Sequence, residues 1–205
     1  MNYSISSNNR LFPNVKEFKK ANKELLSDDV GRYSISLPKD AQIITSLIKY
    51  HIEKLKLSIE NLTITDATAG IGGNTISFSK VFKRVNSIEL NSNRFAFLKN
   101  NINYYELKNI NLINCDYTCV IENLIQDIVF IDPPWGGRSY KKKKNLSLKL
   151  SNIGLDMICK KLKNLCKLVV LKLPLNYNLD ELVQPINANI YKHKIRKMYI
   201  IIIEF

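Results

Sequence analysis

Asp132-Pro133-Pro134-Trp135-Gly136-Gly137, directly after the apolar run 127–131, carries the most specific chemistry in the chain. Two prolines fix the backbone and remove two N–H donors, so nearby carbonyl oxygens and the Asp132 carboxylate are left to accept hydrogen bonds. Such a loop suits an incoming amine. An exocyclic amino group on a base has its lone pair delocalised into the ring. Fixed acceptors for its N–H groups both align the nitrogen and stabilise the positive charge that develops there. Trp135 offers a flat face for a stacked base, and a cationic base such as 7-methylguanine would gain a cation–π contribution of roughly 0.5–2 kcal/mol. A Pro-Pro-Trp-Gly-Gly loop makes a poor core segment, which favours a binding role for this one tryptophan.

A second set of residues suits a nucleoside. The stretch Asp66-Ala67-Thr68-Ala69-Gly70-Ile71-Gly72-Gly73-Asn74 is a glycine-rich turn that lets backbone approach a ligand closely. Thr75 stands where the dinucleotide fingerprint needs its last glycine, so a nucleoside without pyrophosphate is better supported. Glu89, 23 residues beyond Asp66, ends another apolar run where a carboxylate can accept from both hydroxyls of a ribose. In Cys115-Asp116-Tyr117, Asp116 can hydrogen-bond an adenine amino group. Glycine loop, ribose acid and adenine acid together point to S-adenosyl-L-methionine, with S-adenosyl-L-homocysteine as product. The expected cofactor residues are Asp66, Thr68, Gly70, Gly72, Asn74, Thr75, Glu89, Asp116, Tyr117 and Asp132.

These residues need a scaffold that brings strand ends to one crevice. Strands are predicted at 62–67, 84–90, 109–115, 127–131 and 166–173, alternating with helices at 74–81, 92–107, 119–124, 153–165 and 179–186. A longer amphipathic helix covers 40–57, and a short one covers 15–26 with Lys16, Lys19, Lys20 and Lys23; residues 31–38 read as extended. Two consecutive strands, 189–195 and 197–205, leave room only for a tight turn near Arg196 and so pair antiparallel at one edge. The pattern is a doubly wound α/β, Rossmann-like sheet, mostly parallel with the antiparallel pair at its edge, in which ligands bind beyond the carboxyl ends of the strands. Residues 1–38 are expected as an N-terminal helical and extended appendage and 39–205 as the main α/β domain.

Composition narrows the partner. At 205 residues, with 45% hydrophobic and 24% charged, the chain is an ordinary globular domain rather than a disordered or fibrous one. Lys and Arg number 31 against 18 acids, a net charge of +13 that favours a polyanion, nucleic acid first. No apolar run approaches the roughly 18 residues of a membrane span, and the start lacks a secretory signal, so neither membrane insertion nor secretion is expected. Four cysteines match no zinc spacing and read as reduced thiols in an intracellular compartment, with no metal. Arg138, Tyr140, Lys141 and Lys142 immediately follow Trp135, beside the proposed base pocket, although a lysine run is also what a plain solvated loop looks like. Lone His51 and His193 have no acid partner visible in sequence.

DATAGIGGNT followed by DPPWGG on this layout resembles the trimethylguanosine synthases, the RNA cap guanine-N2 methyltransferases. The resemblance covers roughly 31–205 and includes GRYSISLP, the edge strand pair and LPLN at Leu173 to Asn176. It implies that 39–205 is a class I methyltransferase domain and that it transfers methyl from S-adenosylmethionine to the exocyclic N2 of a 7-methylguanosine RNA cap. Asp66, Gly70, Gly72, Asn74, Glu89 and Asp116 would hold the cofactor, Pro133, Pro134 and Trp135 the guanine, and Asn176 would join the substrate residues. Asp132 stands where serine is common in the family, and aspartate is what many adenine-N6 and rRNA guanine-N2 enzymes carry. Leu175 stands where the family's LPRN carries arginine. The expected protein is a monomeric enzyme of the nucleus or cytoplasm with Asp132, Pro133, Pro134 and Trp135 in the catalytic role. Methylation of internal adenine N6 or guanine N2, and a non-catalytic RNA- or cap-binding subunit, are the alternatives.

Overall fold

Fully apolar strands must be covered on both faces, and this chain supplies the cover with helices between its parallel strands. The computed structural model describes residues 10–14, 24–183 and 186–205, and the chain divides into two compact units, Met1–Tyr117 and Thr118–Phe205.

The first unit contains α1 (Asp29–Ser34), α2 (Pro38–Lys54), β1 (Thr63–Asp66), α3 (Gly73–Phe78), β2 (Arg84–Ile88), α4 (Ser92–Tyr104) and β3 (Ile110–Ile113). β1 pairs parallel with β2 and β2 with β3, in a register that sets Asp66 beside Ser87 and Ile88 beside Ile113. The carboxyl ends of all three strands therefore share one rim. α2 starts at Pro38, whose missing N–H is harmless in a first turn, and it buries Ile44, Ile48 and Ile52 at four-residue steps. Asn91 caps α4 by accepting from the Arg94 N–H at 3.0 Å.

After α5 (Tyr117–Val120), the second unit holds β4 (Ile128–Ile131), a 3-10 segment (Gly137–Lys142), β5 (Lys149–Leu150), β6 (Ile153–Gly154), α6 (Leu155–Leu162), β7 (Leu168–Pro174), α7 (Asp180–Val183), β8 (Asn189–Ile195) and β9 (Met198–Glu204). β4 and β7 are parallel and buried throughout, while β9 pairs antiparallel with both β7 and β8. The strand order is β3-β2-β1-β4-β7-β9-β8, the expected mostly parallel seven-stranded sheet with an antiparallel edge. β5 and β6 form a separate small hairpin.

Three local expectations are corrected. Residues 31–34, the first half of the stretch 31–38 predicted as extended, belong to the helix Asp29–Ser34, because the Asp28 carboxylate caps it, accepting from the Gly31 N–H at 2.7 Å. The predicted helix at 153–165 begins two residues later, after a hairpin whose turn places Ser151 and Asn152 at φ 48° and 70°. The helix expected at 119–124 forms earlier, over Tyr117–Val120. Most of the helix expected at 15–26, with its four lysines, lies outside the described residues, and residues 24–28 carry no regular structure.

Candidate active site

In the first unit the glycine loop leaves β1 and is tied down from several sides. Gly70 N–H donates to Glu89 Oε2 at 2.9 Å, Ala69 N–H to the Ile88 carbonyl at 2.8 Å, and Asn101, on α4, donates to the Ile71 carbonyl at 2.9 Å. Glu89, at the end of β2 and 7% exposed, also accepts from the Asn91 N–H at 2.8 Å, and Arg94 stands 3.4 Å from the same oxygen. Each carboxylate oxygen carries two lone pairs, so Glu89 retains capacity to accept ribose hydroxyls while holding the loop. Gly70 adopts φ 57°, and a Cβ built on it would meet nothing within 4 Å, so open space lies over the loop. The side-chain oxygen of Asn74 is buried with no hydrogen-bond partner in the structure, while its amide donates to Ser36 at 3.0 Å. Open backbone, a ribose-competent acid and an unsatisfied acceptor fit a bound nucleoside cofactor.

The loop also has a wall. Gly73 leaves no room for a side chain, because a Cβ there would come within 2.6 Å of Ile35 and 2.7 Å of the Ser36 carbonyl. Asp28, at the cap of α1, lies 3.9 Å from Arg94, so one guanidinium spans Glu89 and the helix cap.

The predicted residues do not all line this space. Asp66 and Thr75 are both 0% exposed; the Thr75 hydroxyl donates to Asp66 at 2.7 Å and meets Ser87 at 2.8 Å, so the pair braces the loop from beneath. Tyr117 is buried as well. Thr68, Gly70 and Asp116 are partly exposed, Asp116 just past the end of β3. Leu90, next to Glu89 and 63% exposed, went unpredicted. An apolar side chain left in water beside a ribose acid is a ready surface for a purine.

In the second unit the register of β4 against β7 pairs Ile131 with Leu171, so the next residues, Asp132 and Lys172, fall side by side. Lys172 Nζ stands 2.6 Å from Asp132 Oδ2. Lys172 is 6% exposed within the otherwise apolar β7, and sequence reasoning missed it. Burial pushes the Asp132 carboxyl above the usual carboxylate range, against the opposing pull of the Lys172 ammonium and the Trp135 N–H. Trp135 is half-buried: its Nε1 donates to the Lys172 carbonyl at 3.3 Å, and Tyr140 meets it edge-on with centroids 5.1 Å apart at 80°. The Lys172 ammonium also lies 5.7 Å from the indole centroid.

Past Trp135, the chain forms the 3-10 segment Gly137–Lys142, and the Arg138 side chain lies outside the described part. Asn176, expected at the substrate, uses its amide to hold this segment, donating to the carbonyls of Tyr140 at 2.8 Å and Lys143 at 2.7 Å. Lys141 and Lys142 are exposed on the clamped loop. Replacing Asn176 by alanine removes two loop hydrogen bonds, each of which contributes about 1 kcal/mol. Amide hydrogen exchange over 139–146 is expected to accelerate roughly ten-fold or more while exchange in β4 and β7 stays unchanged.

A family model for RNA cap guanine-N2 methyltransferases matches residues 61–204. The chain belongs to that family. It is an S-adenosylmethionine-dependent methyltransferase. An uncharacterized protein of Acanthamoeba polyphaga mimivirus is 38% identical over 216 residues, covering 95% of this chain and 84% of that one. Trimethylguanosine synthase of Schizosaccharomyces pombe is 34% identical over 127 residues, 58% of this chain and 53% of that protein, so the chain spans about half of the yeast relative. Among solved structures, the 16S rRNA N2 G1207 methyltransferase of T. thermophilus, in complex with AdoMet and guanosine, superposes with a TM-score of 0.59 at 15% identity, over 78% of this chain and 42% of that one. Precorrin-6y C5,15-methyltransferase of Geobacter metallireducens gives 0.58 at 18%, over 94% and 92%. At these identities the two structures establish the fold. No helix among the described residues is long and apolar enough to cross a membrane.

Proposed function

We propose that this family member transfers a methyl group to the exocyclic N2 of a 7-methylguanosine cap on RNA, in the nucleus or cytoplasm where capped RNA is found. S-adenosylmethionine supplies a methyl on a sulfonium, which leaves as the neutral thioether of S-adenosylhomocysteine, so the protein has only to bind, align and neutralise. The chain's residues take those roles as follows. Glu89 would accept the ribose hydroxyls, the backbone of the Gly70 turn and the buried Asn74 oxygen would meet the rest of the cofactor, Leu90 would pack on adenine, and Asp116 would accept from its amino group. Asp66 and Thr75 would act through the loop they brace.

On the acceptor side, Asp132 and the carbonyls around Pro133 and Pro134 would take hydrogen bonds from the base amine, which gains positive charge as it is methylated and must then lose a proton. Trp135 would carry the guanine, with Tyr140, Arg138, Lys141 and Lys142 toward the cap phosphates. The observation that carries this reading is the Asp132–Trp135 loop itself: a half-exposed indole, pinned at its N–H, next to a buried carboxylate paired with a cation. Mass spectrometry of capped RNAs after incubation with cofactor tests it. Transfer to the 7-methylguanosine cap and none to the unmethylated cap is the expected result, and equal transfer to both would sink it.

Trp135→Ala is expected to lower kcat/KM on capped RNA about 10- to 100-fold, the loss of one base–aromatic stack of roughly 1–3 kcal/mol, with Trp135→Phe in between. A steady-state comparison on one capped oligonucleotide checks both. One observation favours a second reading, methylation of an uncharged internal guanine or adenine. The Lys172 ammonium near the indole would compete with a cationic base for the ring. An internal-base enzyme would methylate uncapped RNA at the same rate.

A further inference from the structure

Lysines of the second unit divide according to where they sit. Around the amino ends of β4 and β7 and on α6 they are neutralised: Lys167 pairs with Asp127 at 2.7 Å, Lys161 with Glu122 at 2.8 Å, and Lys160 with Asp156 at 3.6 Å. At the carboxyl ends, Lys141 to Lys144, Lys194 and Lys197 are all exposed, and among the described residues none of them forms an ion pair with a carboxylate. Asn176, just past β7, anchors the first four of these lysines to that rim. The hairpin register brings the others there too. Pro174, the last residue of β7, faces Met198, and Met198 faces Ile195, so the exposed turn residues Arg196 and Lys197 project beyond the same ends. β9 and β8 lie one and two strand spacings from β7, roughly 5 and 10 Å. Lys194 pairs across the hairpin with Tyr199, setting an aromatic ring among the cations.

We propose that the β8–β9 turn, through Lys194, Arg196 and Lys197, binds the phosphate chain of RNA beyond the methylated nucleotide, continuing a path that begins on the Lys141–Lys144 loop. Lys194 and Lys197, exposed and forming no ion pair with a carboxylate among the described residues, flank Tyr199, and cations beside an aromatic ring are the footprint of sequence-independent binding to a single strand. An acidic protein seated on the same turn would leave RNA affinity untouched, and the test registers that outcome.

The inference rests on an RNA substrate, and the experiment separates the two ideas. The triple variant Lys194→Gln, Arg196→Asn and Lys197→Gln keeps a residue tolerant of the left-handed φ of 50° at position 196. It is compared with the unchanged chain and with a Lys160→Gln, Lys161→Gln control. Methyl transfer is measured on a 7-methylguanosine-capped dinucleotide and on a capped RNA of about twenty nucleotides, and binding of the longer RNA is followed by fluorescence anisotropy between about 50 and 200 mM salt. The triple variant is expected to bind the longer RNA about ten-fold more weakly, with a salt slope smaller by about 2 from three contacts at roughly 0.7 each. Its loss on the dinucleotide should stay below about two-fold, and the control should change neither. Unchanged affinity and slope overturn the inference, as do equal losses on both substrates. Absence of transfer to either substrate with the salt slope still reduced overturns the cap reading instead and leaves the turn's role standing.

Discussion

Lys172→Met is expected to destabilise the protein by about 3 kcal/mol at neutral pH, near the lower end of the cost of breaking a buried ion pair, since Asp132 keeps some exposure. The reason is asymmetry: the pair together is nearly neutral, whereas a lone carboxylate behind Trp135 is a desolvated charge. The sign with pH follows from Asp132. Burial already raises its carboxyl, and removing Lys172 takes away the largest opposing influence, so the folded-state value rises further above that of the unfolded chain. The variant's deficit is therefore full above the raised value and shrinks as pH falls toward the ordinary carboxylate range, where Asp132 is protonated in both states. Denaturant unfolding of Lys172→Met, with and without Asp132→Asn, checks this: the double variant should recover most of the loss. Activity should part company with stability, because the double variant lacks the charged acceptor and should stay at least 100-fold below the parent in kcat. A single variant whose deficit grows on acidification would contradict the pairing.

Glu89→Ala is expected to weaken S-adenosylhomocysteine binding more than 100-fold, measured by titration calorimetry. Truncation strips the acceptor from the Gly70 and Asn91 N–H groups, leaves Arg94 without its nearer acid, and removes the ribose partner. Unsatisfied donors cost about 1–3 kcal/mol each when buried, and about 3 kcal/mol in total corresponds to that loss of affinity. Glu89→Gln should recover part of it, since one amide oxygen can still accept while the amide nitrogen opposes another N–H. Affinity within three-fold of the parent in Glu89→Ala would remove Glu89 from the cofactor's contacts.

Much of this arrangement is legible in the chain. Runs such as IVFI and IIII have one stable environment, a sheet covered on both sides, and the alternation of such runs with amphipathic stretches carries the mostly parallel sheet with it. Glu89 and Trp135 are legible because their types are unusual where they stand. Lys172 was missed although a signal existed: a single charge inside LVVLKLP requires a buried partner, and aligning the ends of two parallel strands puts Asp132 opposite it. Asp66 and Thr75 were over-read, because residue type does not say which way a side chain turns, and here both turn beneath the loop. The helix at 29–34 was hidden since its cap, Asp28, lies in a stretch with little periodicity, and its packing against Gly73 and Ile71 is a long-range contact no local pattern encodes.

Asn101 gives residue 26 both halves of a backbone hydrogen-bonding pair, accepting from the Leu26 N–H at 2.8 Å and donating to its carbonyl at 3.0 Å, while also holding Ile71. One amide thus grips the leading segment and the glycine turn at once, and Ile35 and Ser36 fill the gap beside Gly73. A protein shortened to residue 39 would not be the same catalytic domain minus an ornament. It would lose one side of the cradle proposed for the methyl donor.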